Sequence, residues 1–380
     1  MQARQTLSRT SMLVMAIAMT SAMLSGCTKS KEQKSMVGPD AYVEKTAFEG
    51  KTFHYVRGVE EADSENSVFA IPGFSNDYGT VNVRITETEL QFVQVFDPLR
   101  RDSTQTIVAS YPIADHFDII REVNDFGEAT HKIVENKEKP WNKRAFMRVN
   151  WATPSNSLSE LGTADAGEQI KAENVVLAEA PKIEKDGHVS WLTELSGVPQ
   201  SYGPVSRIYV RTHLMPVKAS DFEKLNYRDK DFKRFGYFYT RQNFEDPEKG
   251  FLDSLRENNT YANVHNVCEP GRKSADGKPL SCSTNKIVWN LTKDFPAKYL
   301  EVTRRAVSEW NDTFKRALGR SDDVVVLDES LQVDIIDPRH NTIAHYAPKS
   351  PGGLLGVAQE VVNPITGETV ASRATVYEDG

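Results

Sequence analysis

The sequence predicts an α+β protein: a β-rich N-terminal domain, then a strand, a long helix and four to five further strands. Three observations predict it. From about residue 50, short alternating or β-branched runs recur between Gly and Asp-Pro punctuation. Residues 297–318 carry apolar side chains at helical spacing. After them, strand-like runs fill the chain almost to its last residue. A length of 380 residues suits two domains at roughly 100–200 residues each.

The first 26 residues are an address rather than part of the fold. Arg4 and Arg9 form a positive start without an acid, and Met12–Leu24 is a 13-residue apolar stretch. It ends in Leu24-Ser25-Gly26-Cys27, which resembles the lipobox of bacterial lipoproteins. The resemblance implies cleavage before Cys27 and acylation of that residue, hence a lipid-membrane partner. Thr28, where an Asp would favour inner-membrane retention, points to the outer membrane of a bacterial envelope. Residues 27–50 are expected to be a flexible tether, polar and Lys-rich over 28–40.

The domain expected over 51–285 is built from short strands. Candidate runs are Thr52–Val56, Ser67–Ile71, Thr80–Ile85, Glu89–Phe96, Gln105–Tyr111, Arg144–Trp151, Val205–Leu214 and Phe235–Thr240. In Val205–Leu214, Arg207, Tyr209 and Arg211 share one face, the pattern of a sheet with one wetter side. The span 152–188 is richer in Ser, Ala, Glu and Asn, and reads as a loop-bearing insertion or weak strands. Residues 241–260 are charged, with one helical turn expected around Gly250–Arg256.

Cys268 and Cys282 lie 14 positions apart across a Pro- and Gly-containing stretch. With Cys27 acylated, an even pair in an exported chain reads as a disulfide. A zinc pair is the alternative, but no C-x-x-C spacing accompanies it.

Residues 286–380 are expected to form the second domain. Lys286–Leu291 is a strand with Ile287, Trp289 and Leu291 on one face. From Ala297 to Leu318, Val302, Ala306, Trp310, Phe314 and Leu318 make one stripe, closed by Gly319 with Lys315 and Arg316 in the last turn. Strands are expected at Asp323–Leu327, Leu331–Ile336, Asn341–Tyr346, Leu354–Val362 and Thr369–Tyr377. The last two flank the turn Asn363-Pro-Ile-Thr-Gly-Glu368.

This order resembles the N-terminal subdomain of metzincin zinc peptidases. The helix phrase Ala306-Val307…Trp310-Asn311…Phe314…Gly319, the run Asp337-Pro-Arg-His-Asn341 and the Asn363–Glu368 turn are similar to motifs of large bacterial zinc-dependent metalloproteases. The resemblance implies that Leu355, Gly356, Val357 and Ala358 belong to an edge strand that pairs with an extended protein or peptide substrate. It also implies zinc as cofactor, although its ligands are not in this chain. Such enzymes need H-E-x-x-H on a helix, two zinc ligands with a general base between them. None of the eight His is followed by Glu. His340 and His345 are five apart on a strand-like run, which does not suit that pair. No catalytic or metal residue is therefore assigned, and the chain alone should be inactive. The expected function is the N-terminal portion of an envelope-anchored zinc metallopeptidase. The alternative is a non-catalytic bacterial lipoprotein that binds protein or peptide.

A net charge of −7 excludes a general nucleic-acid binder, which requires a basic face. No Walker, dinucleotide or G-x-S-x-G motif is present.

Overall fold

The computed structural model describes residues 34–37, 42–62, 73, 75–95, 107–152, 170–199, 206–227, 230, 233, 238–241, 260–346 and 355–378. In chain order its strands are β1 (Lys34–Ser35), β2 (Tyr42–Glu44), β3 (Thr52–Ala62), β4 (Ser75–Ile85), β5 (Glu89–Gln94) and β6 (Ile107–Val123). Next come β7 (Ala129–Asn136), β8 (Phe146–Val149), β9 (Ile170–Ile183), β10 (Val189–Pro199) and β11 (Ser206–Pro216). A two-stranded ribbon, β12 (Tyr239–Arg241) and β13 (Thr260–Ala262), leads to β14 (Ile287–Thr292). The helix α1 (Leu300–Leu318) is followed by β15 (Val325–Val333), β16 (Asn341–Tyr346), β17 (Gly356–Val362) and β18 (Thr369–Tyr377).

The chain divides into two compact units. The smaller holds residues 1–39 and 118–138. Within it β7 pairs antiparallel with the Asp118–Val123 end of β6, and β1 lies parallel to β7. Asn124 closes the β6–β7 turn, its Oδ1 accepting from the amides of Phe126 and Glu128 at 3.0 and 2.9 Å.

The larger unit holds residues 40–117 and 139–380. Its main sheet runs β6-β5-β4-β3-β11-β10-β9, antiparallel throughout, with β8 joining β6 to β2. The sheet curls around an aromatic core. Phe53, Tyr55, Phe92, Tyr111, Trp151 and Trp191 are all buried there, and the rings of Trp151 and Trp191 stand 4.8 Å apart. Alternation explains the selection: in β11, Ile208 and Val210 are sealed in a second apolar cluster with Val59 and Leu195.

A five-stranded sheet follows in the order β15-β14-β16-β18-β17, parallel except for β17. On one face lies α1, with Val307, Phe314 and Leu318 against Ile287, Val324 and Val325. Gly319 ends the helix in the left-handed conformation (φ 63°). Asn311 ties helix to sheet: its Oδ1 accepts from the amides of Val324 and Val325, at 2.8 and 3.1 Å, and its Nδ2 donates to Asp323 at 2.8 Å. The opposite face meets the main sheet. Val361 and Ala371 bury with Val56 of β3, and Arg373 donates to the Gly73 carbonyl at 2.7 Å.

The α+β expectation is corrected: the protein is mostly β, 53% strand and 13% helical, with a large curled antiparallel sheet. The amphipathic stripe at 300–318 marks a real helix, but a 19-residue helix is a minor part of the chain. The polar span 152–188 contains β9, and β10 follows it. The two runs expected at 323–336 form one strand, β15, whose centre Glu329–Leu331 bulges out of register between the pairs Asn290↔Asp328 and Leu291↔Gln332. The expected strand Ser67–Ile71 and the helical turn at 250–256 lie outside the described residues.

Candidate functional site

The strand β17 lies at one edge of the five-stranded sheet and is paired only to β18 among the described residues. A tight turn sets this hairpin. Asn363 donates its amide to the Glu368 carbonyl at 2.8 Å, and its Oδ1 accepts from Ile365 at 3.0 Å. Gly367 sits at φ 79°, and a Cβ there would stand 2.7 Å from the Ala262 carbonyl oxygen. No larger residue fits that approach without displacing backbone.

The register decides which groups of β17 are available. The Tyr377 amide donates to the Leu355 carbonyl at 3.0 Å, so these two residues form a hydrogen-bonded pair. The register Gly356↔Val376 through Val361↔Ala371 continues from it. In an antiparallel ladder such pairs alternate with non-bonded ones. Val357 and Gln359 therefore direct N–H and C=O towards β18, whereas Gly356, Ala358 and Glu360 direct theirs away from it. Leu355 is 70% exposed, Gly356 and Ala358 are exposed, and Val357 is half-buried. Glu360 is half-buried, and burial raises its carboxyl pKa while a hydrogen bond to Asn263 lowers it. The open part of the edge is thus Leu355–Ala358. Gly356 has its own local cause: an added Cβ would come within 2.8 Å of the Thr375 carbonyl oxygen. Its smallness is demanded by β18.

A cavity of about 590 Å³ lies between α1 and the inner strands of the sheet, with no β17 residue in its lining. Val302, Ala306 and Trp310 line it from the helix, and Ile343, Ala374 and Val376 from the strands. Ala374 and Val376 are the register partners of Ala358 and Gly356. The stripe that the sequence marks as core is thus partly open, with Val302 46% and Trp310 59% exposed. His345 stacks on Tyr299 at 4.4 Å in the same wall, and neither it nor His340 belongs to a group of three or more candidate metal ligands among the described residues.

Sequence reasoning missed a buried cluster where the two sheets meet. His188 follows the Glu184–Gly187 turn between β9 and β10, His213 lies on β11, and Asp337 lies between β15 and β16. All three are buried, and one ligand-type atom from each falls within 4.8 Å of the others. His188 Nε2 and His213 Nδ1 are 3.0 Å apart. Burial holds both imidazoles below their ordinary pKa, with the Arg339 charge adding to the effect at His188. Burial pushes the Asp337 carboxyl up. Hydrogen bonds from the Arg339 side chain and amide, with the Arg339 charge, outweigh it and keep the group a carboxylate. Arg339 is also bonded to Glu184 at 2.6 Å. Spacings of 25 and 124 residues carry no motif, so only the folded sheets reveal the cluster.

Cys268 and Cys282 are joined as a disulfide, buried with Leu280. Cys27 lies outside the described residues. No helix of the described residues is long and apolar enough to cross a membrane. No protein-family model, curated protein or solved structure matches the chain.

Proposed function

We propose that this chain captures an extended protein or peptide segment along the open edge of β17, acting as the lipid-anchored, substrate-binding portion of an envelope zinc metallopeptidase. The observation that carries the proposal is the outward N–H and C=O of Gly356 and Ala358 on an exposed stretch of an edge strand. Main-chain pairing gives such binding its affinity, and pockets for alternate side chains give it selectivity. The sequence resemblance to zinc-dependent metalloproteases supports the same role for residues 355–358. Anchoring follows from an acylated Cys27 at the outer membrane.

Zinc chemistry in this reading belongs to an H-E-x-x-H that this sequence does not contain. The chain's own contribution is binding and orientation. That same absence favours a second reading, a non-catalytic lipoprotein that binds peptide through the same strand. Both are tested with fluorescein-labelled casein peptides titrated with the tag-free chain, read by anisotropy. Saturable binding weakened by Ala358→Pro supports edge capture, and no binding by a folded chain rejects it. Cleavage of the probe by this chain alone would contradict both readings.

A further inference from the structure

The buried cluster at the junction of the two sheets has the donors and geometry of a metal centre. His188, His213 and Asp337 offer two imidazoles and one carboxylate, a donor set that suits divalent first-row transition ions better than Mg²⁺ or Ca²⁺. The facing nitrogens of the two histidines are 3.0 Å apart. Two nitrogens bound at 2.0–2.1 Å to one tetrahedral zinc stand about 3.3–3.4 Å apart. A widening of a few tenths of an ångström therefore converts this hydrogen bond into a chelate, the bridging proton moving to the outer nitrogen of its own ring.

One further observation sets the cluster apart from an ordinary buried ion pair: its surroundings are arranged as support for a ligand set. Arg339 holds the Asp337 carboxylate through its Nε and Nη2, at 3.0 and 2.7 Å, and orients it. Glu184, at 2.6 Å, and Asp186, at 3.9 Å, offset the Arg339 charge. His188 directly follows the turn bearing Asp186, whose Oδ1 accepts the His188 amide at 3.0 Å.

We infer that His188, His213 and Asp337 bind one divalent transition-metal ion, of the zinc or cobalt class, which clips the β9–β10–β11 region to the β15–β16 connection. The ion binds the folded chain only, so its role here is to lock the two sheets together. This inference stands apart from the peptide-binding proposal and uses none of the β17 residues.

The test uses the tag-free chain, stripped with chelator and titrated with Co²⁺ alone. Expected are one Co²⁺ per chain, the visible absorption of a low-coordinate nitrogen–oxygen site, displacement by Zn²⁺, and a higher melting temperature with metal. His213→Asn and the nearly isosteric Asp337→Asn should each abolish the band or weaken binding by about tenfold or more. His340→Asn, outside the trio, should leave it unchanged. Asp337→Asn keeps the result interpretable if His213→Asn does not fold. A folded wild-type chain that takes up no Co²⁺, or a band that persists in Asp337→Asn and His188→Asn alike, would overturn the assignment.

Discussion

Replacing Ala358 by proline removes one outward N–H from β17 and leaves the bonds to β18 in place. A backbone hydrogen bond is worth about 0.5–1.5 kcal/mol net, so affinity for an extended peptide should fall about twofold to twelvefold. Proline is tolerated at an edge strand whose N–H faces solvent, so the fold should survive. Gln359→Pro is the matched control. Its N–H belongs to the set directed at β18, and losing it inside the ladder should destabilise the fold by about 1–3 kcal/mol. Two titrations read the pair: anisotropy of labelled casein peptides for binding, and urea unfolding for stability. A folded Ala358→Pro chain that binds like wild type would refute the assignment of outward groups. So would a Gln359→Pro chain with unchanged stability, because the alternation would then run the other way.

Other consequences follow from single contacts. Asn311→Ala leaves two strand amides of Val324 and Val325 without their acceptor, and should cost about 1–3 kcal/mol in urea unfolding. His54, 2% exposed in β3, has its pKa lowered by burial from 6.5 to about 4. The fold therefore favours the neutral ring. That contribution is complete above pH 6.5, shrinks as pH falls, and is fully lost once pH passes below about 4, an upper bound of about 3 kcal/mol. His54→Gln should flatten the acid limb of a stability-against-pH curve. Reducing Cys268–Cys282 opens a loop whose closure is worth about 3 kcal/mol in the chain-entropy model, so the melting temperature should fall in reductant. Cys27→Ser should move the protein from the membrane fraction to the soluble fraction of its cells, and unchanged fractionation would reject the lipid anchor.

Local patterns were legible wherever one residue type carried a physical signal. The 3.6-residue stripe and Gly319 mark α1, and Asn363-Pro-Ile-Thr-Gly-Glu368 marks the hairpin that presents β17. The strands β9 and β10 were not legible for different reasons. On its described residues β9 is an edge strand that pairs only with β10 and keeps Val176 55% exposed, so its apolar residues follow no strict alternation. In β10, Trp191 and Leu195 are core residues separated by polar ones, and the Asp186-Gly187 turn signal ahead of them stands inside a span of loop-like composition. The α+β expectation failed because one strong helix weighed more in the pattern than many weak strands. His188 and His213 meet through pairing of β10 with β11, where Ser190 stands opposite His213. Asp337 reaches them only once the second sheet packs on the first. Spacing along the chain encodes neither event, and Gly356 shows the converse: a small residue in an edge strand has its cause in the neighbouring Thr375 carbonyl.

Residue-resolved amide exchange tests the central claim most directly. In the free chain, the Gly356 and Ala358 amides should exchange fast while those of Val357 and Gln359 are protected by β18. Adding casein peptides should slow Gly356 and Ala358 and leave Val357 and Gln359 as they were. Uniform protection along β17 without peptide, or fast exchange at Gly356 and Ala358 under saturating peptide, would contradict edge-strand capture.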